Sequence, residues 1–149
     1  MIKRLLRSRG HGVHSPFAYR FITGVIREHC EYYAYTHLEQ MAQGRELRNA
    51  KLLHRITAAL PTGLILIAGE LTPALQKAVE MANSKDTIRE YKPGEDAGGA
   101  TPVAVVITDP GRLDSARQAY PDGMMFAGKH SAVIVPDKAL PSQQFEIIM

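Results

Sequence analysis

The run Gly63-Leu64-Ile65-Leu66-Ile67-Ala68-Gly69-Glu70-Leu71-Thr72-Pro73 constrains the fold more than any other stretch of the chain. Its five successive apolar side chains, bounded by turn residues, predict a strand buried on both faces, the kind found in parallel sheets. The glycine at its carboxyl end lets the backbone turn sharply. Thr72-Pro73 then supplies a helix cap and a first helical residue. In open α/β sheets the ligand crevice lies beyond the carboxyl ends of such strands.

The residues before this run read as helix. Ser15-Pro16 repeats the cap-then-proline signature, and Phe17, Phe21, Ile22, Val25 and Ile26 form one apolar stripe over residues 16 to about 29. A second helix is predicted over residues 33–43, with Leu38 and Met41 inward, and a third over 45–60, apolar at Leu52, Leu53, Ile56, Ala59 and Leu60. Beyond the run, helix and strand alternate. A helix is predicted over 72–83 and a weaker strand over 86–91, interrupted by Arg89 and Glu90. A Gly/Pro-rich loop covers 92–101, and a buried strand over 102–109 ends in Asp109. A short helix over 111–120 and a loop over 121–129 lead to a buried strand over 131–137, ending in Asp137. A last edge strand is placed near 144–149. This rhythm predicts an α/β protein with a parallel, doubly wound sheet. The chain reads as one domain, with residues 1–61 as a helical extension and 62–149 as the sheet-bearing core.

The net charge of +3 conceals an asymmetry. Residues 1–60 hold ten Lys/Arg against four Asp/Glu, and residues 61–149 hold eight against eleven. Five of the six histidines also fall in the first sixty residues. Such a contrast marks either an anion-binding face or a basic helical layer on a mildly acidic body. No aromatic residue interleaves with the basic run over residues 1–9, so a nucleic-acid partner is not expected. No segment has the eighteen apolar residues of a membrane span, and the N-terminus lacks the apolar core of a signal peptide. With one cysteine, Cys30, no internal disulfide forms, and the expected compartment is the cytoplasm.

Arg9-Gly10-His11-Gly12-Val13-His14-Ser15-Pro16-Phe17 resembles the N-terminal signature of class I S-adenosylmethionine-dependent methyltransferases of a type seen chiefly in Bacteroidota. Glu31-Tyr32-Tyr33-Ala34-Tyr35 with Leu38-Glu39, and Ala50-Lys51-Leu52-Leu53-His54-Arg55, resemble the helices before their core. The resemblance implies a Rossmann-like three-layer sandwich with a mostly parallel sheet, S-adenosylmethionine as cofactor and methyl transfer to a small acceptor. Members end the first strand with an acidic residue, then a glycine two further on and a second glycine four beyond that. The matching positions here are Ile67, Gly69 and Pro73, so only the first glycine is kept. Glu70 either stands in for the missing carboxylate or complements the dipole of the following helix. Glu90, closing the second strand, either matches the acid that accepts the ribose hydroxyls in that family or is a charge on a solvated edge strand. The loop Gly94-Glu95-Asp96-Ala97-Gly98-Gly99 is either part of an adenine pocket or a surface turn.

Asp109 and Asp137 each close a buried strand and are therefore expected on one rim of the sheet. Their separation along the chain matches two divalent-metal ligands of catechol O-methyltransferase-like enzymes, and their oxygens suit Mg²⁺. Lys138, where those enzymes carry Asn, opposes a cation, so Asp109 is assigned to the acceptor side and no metal is expected. His11 and His14 lack nearby Cys, Asp or Glu at zinc-ligand spacing. Tyr32, Tyr33 and Tyr35 read as a helix-packing cluster or a substrate wall, and Cys30 as a packed thiol. The degenerate motif supports a second expectation: an inactive, shortened relative that self-associates through its basic helices or an open sheet edge. On that reading the core is incomplete at its C-terminus.

Overall fold

The computed structural model describes residues 15–28, 32–94 and 100–147. His11, His14, Cys30 and most of the Gly94–Gly99 loop lie outside them. Ser15 caps the first helix, its Oγ accepting the Ala18 N–H at 3.2 Å, and Pro16 opens α1 over Pro16–Phe21. The single helix expected to about residue 29 does not continue in α form. It passes into a π-helical segment, Ile22–Ile26, closed by the Arg27 N–H to the Ile22 carbonyl. Thr23 returns its hydroxyl to the Tyr19 carbonyl at 2.7 Å, a bond that competes with the regular ladder and bends helices. Helix α2 covers Tyr35–Met41 and α3 covers Gly44–Ala59.

Strand β1 is Leu64–Ala68, followed by α4 over Pro73–Ala82, whose Thr72 cap accepts the Leu75 N–H. Then come β2 (Thr87–Glu90), β3 (Ala104–Ile107), a 3₁₀ turn (Pro110–Arg112), α5 (Leu113–Ala119), β4 (Met124–Ala127), β5 (Ala132–Val135) and β6 (Gln143–Glu146). The six strands form one sheet in the order β2-β1-β3-β5-β4-β6. All run parallel except β5, which opposes both β3 and β4.

The inversion of β5 corrects the expected topology. Residues 124–127, read from sequence as loop, form a fully buried strand, and the Gly128 N–H to the Ser131 carbonyl closes a tight hairpin into β5. A hairpin joins only antiparallel strands. Hence β5 returns toward the edge from which β1 and β3 start.

Alternation along the strands divides the core. Ile65, Ile67, Val106, Phe126 and Val133 face α1 to α4, while Leu66, Val105, Met125 and Ile134 share the other face with Ala116 of α5. Aromatic contacts bind the helical layer to the far strands: Phe17 stacks on Phe21 at 5.5 Å, Phe21 lies 4.8 Å from Phe126, and Phe126 stacks on Phe145 at 5.5 Å. Among the described residues no helix is long and apolar enough to cross a membrane.

Candidate functional site

From β1 the chain crosses through α4 to β2 on one side, and from β3 it crosses through α5 to β4 on the other. The connections diverge between β1 and β3, which makes their carboxyl ends the switch point where open α/β sheets bind ligands. A crevice of about 460 Å³ lies there. Glu70 and Thr72 line it after β1, Thr108 and Asp109 after β3, and Arg45 and Asn49 overhang it from α3.

Gly69 sits at the base of this rim. A Cβ on it would collide with Thr108 Oγ1 and stand 3.3 Å from the Asp109 amide, so glycine is needed for two strand ends to approach each other. Asp109 is half exposed. Its Oδ1 accepts the Gly111 N–H at 3.0 Å and its Oδ2 lies 3.6 Å from Arg112 Nε. Arg112 also reaches Glu90 at 3.5 Å and donates to the Tyr91 carbonyl, so one guanidinium links the ends of β2 and β3. Of the residues singled out from sequence, Gly69, Glu70 and Asp109 meet at the switch point, and Glu90 joins them through Arg112.

Asp137 does not. It follows the inverted β5 and lies at the opposite edge of the sheet, beside Pro102, Val103 and Lys138. The expectation of two aspartates on one rim is therefore overturned, with the β4–β5 hairpin as its cause. Among the described residues no cluster of three His, Cys, Asp or Glu is placed to hold a metal. Compared with known proteins, the chain matches no family model, no curated protein and no solved structure. The site rests on its own geometry.

Two of the three tyrosines pack within the helical layer. Tyr35 is buried and, with Tyr32, surrounds His54 at ring distances of 5.9 and 5.4 Å, while Tyr33 is exposed. Burial, with the charge of Arg55 added, holds the His54 imidazole below the ordinary histidine pKa. Arg45, Asn49, Thr108 and Arg112 are not among the residues singled out from sequence. Arg45 and Asn49 stand four apart on the third helix and were legible as one face, but nothing local indicates that this face overhangs the sheet.

Proposed function

We propose that the chain is an S-adenosylmethionine-dependent methyltransferase-like protein with a Rossmann-like sheet, transferring a methyl group to a small acceptor. The observation that carries this reading is the crevice at the switch point, with Glu70, Asp109 and Glu90 on or beside its rim. The donor set suits such a cofactor: carboxylates complement a cationic ligand and accept hydroxyl protons. S-adenosylmethionine supplies an electrophilic methyl group on a sulfonium. The chain's part is to bind and align, with Glu90 accepting ribose hydroxyls, Glu70 opposing positive charge and Asp109 orienting the acceptor. Alignment of this kind accounts for much of catalysis in two-substrate reactions.

The test is calorimetric titration with S-adenosylmethionine and S-adenosylhomocysteine, using Glu90→Gln and Asp109→Asn. Gly69→Arg is unsuitable, because any side chain there strikes Thr108 and disturbs the sheet. Micromolar binding, weakened at least about tenfold in Glu90→Gln, is the expected result. No heat and no thermal shift at millimolar cofactor would sink the reading.

One observation favours a second reading, that of an inactive methyltransferase-fold module which self-associates. Ile67, where the resembled family carries an acid, is completely buried within the sheet, and Pro73 fills the second glycine position as the first residue of α4. Sedimentation separates the two: a dimer that ignores the cofactor favours the module, and cofactor binding by a monomer favours the enzyme.

A further inference from the structure

Arg45, Arg48, Leu52 and Arg55 recur at steps of three and four along α3 and so share one helical face. They line a second cavity, of about 240 Å³, enclosed by α3, the end of the π-helical segment and the β4–β5 hairpin turn. The inversion of β5 is what brings that turn, with His130 and Ser131, to the carboxyl rim of the sheet.

The cavity is cationic. Arg27, Arg45, Arg48, Lys51 and Arg55 line it against a single carboxylate, Glu28. Lys51 is answered from outside by Glu39 at 2.9 Å. Arg55 forms the floor: it donates to the Val25 carbonyl at 2.6 Å, the Ile26 carbonyl at 3.2 Å and the Tyr35 hydroxyl at 2.9 Å. Those acceptors orient its guanidinium without neutralising it. Among the described residues no acidic side chain pairs with Arg45 or Arg48. Setting Glu28 and Glu39 each against one of the five cations leaves, among the described residues, three positive charges in one concavity. Like charges gathered this closely repel unless an anion joins them. His130 registers the same field: thinned hydration, together with the charges of Arg45, Lys129 and Arg48, lowers its pKa. Ile26 and Leu52 add an apolar wall, as small-molecule sites have.

Arg45 and Asn49 line both this cavity and the switch-point crevice, so the two adjoin. We propose that the cavity binds the phosphate group of a small molecule through Arg45 and Arg48, the rest of the molecule passing Asn49 toward Asp109. A dianionic phosphate matches a lining of five cations and one carboxylate better than a single carboxylate ligand does, and the guanidinium fork meets its oxygens two at a time. The concavity is local, bounded by α3, the π-helical segment and the hairpin turn, where a nucleic-acid strand needs a groove that tracks successive phosphates. Phosphate binding here does not require that the crevice take S-adenosylmethionine.

The test titrates the whole chain, without cofactor, with inorganic phosphate, pyrophosphate, citrate and a single-stranded oligonucleotide, following heat and the NMR titration of the His130 imidazole. Saturable binding of phosphate and pyrophosphate is expected, with the His130 pKa rising when the anion is bound. Arg45→Gln with Arg48→Gln should weaken binding at least about tenfold, while Lys77→Gln on α4 changes nothing. Arg45→Lys with Arg48→Lys, which keeps charge but loses the fork, should fall between, and it serves if the neutral pair fails to fold. Citrate binding as tightly as pyrophosphate would overturn the assignment to phosphate. Tighter binding of a single-stranded oligonucleotide, or affinity unchanged in the arginine variants, would overturn the site.

Discussion

At the scale of single residues, His54 shows how a buried polar group makes stability depend on pH. It lies in the core between Tyr32 and Tyr35, and among the described residues its Nδ1 has no hydrogen-bond partner. Its folded pKa lies below the ordinary 6.5, so below that pH the unfolded chain binds a proton that the folded chain refuses. Stability therefore falls as pH drops from 6.5 toward the folded value, with a slope of at most about 1.4 kcal/mol per pH unit. His54→Phe should flatten this part of the melting-temperature profile between pH 7 and 5. An unchanged slope would assign it to other groups. Gly123 illustrates what a sequence conceals. It has φ +75° and a Cβ there would collide with the Val135 carbonyl, which identifies it as the turn into a strand. Pro121-Asp122-Gly123 was legible as a turn. The Met124-Met125-Phe126-Ala127 segment after it has little of the β-branched character that marks strands, and only its burial by α1 and β6 reveals it.

Among the elements, α3 does most to join the parts, and Arg55 is its principal tie. The last carbonyls of a helical segment have no partner within it. Val25 and Ile26 at the end of the π-helical turn obtain theirs from Arg55, whose positive charge also suits a helix C-terminus. Arg55→Met should cost about 2 kcal/mol in urea denaturation, because buried acceptors lose charged donors. Arg45→Gln, on the exposed part of the same helix, should stay within about 0.5 kcal/mol. Equal effects would mean that the guanidinium does not hold the π-helical turn. The helices were legible in sequence by their stripes, with ends displaced by no more than three residues when the π-helical segment is counted with α1. The π-helical geometry was not, since it depends on this donor from thirty residues away.

For the molecule as a whole, the direction of one strand decides which charges share an edge. Asp109 stays on the carboxyl rim with Glu70, while Asp137 is carried to the far side and His130 takes its place. Millimolar Mg²⁺ should accordingly leave the melting temperature unchanged. A rise abolished by both Asp109→Asn and Asp137→Asn would contradict the topology. The buried apolar runs of β1, β3 and β5 made an α/β sheet legible, but strand direction depends on the hairpin, which a run of apolar residues does not record. That hairpin also bears on how the chain folds. β3 and β4 are consecutive and joined through α5, yet they are not neighbours; β5 fills the slot between them. As the chain is synthesised, the facing edges of β3 and β4 therefore stay unsatisfied until residue 135 has been added, and the outer edge of β4 until β6 follows. An interval with open edges is when strands mispair or aggregate. The four-residue turn shortens that interval, because the strand that fills the slot is the next to emerge.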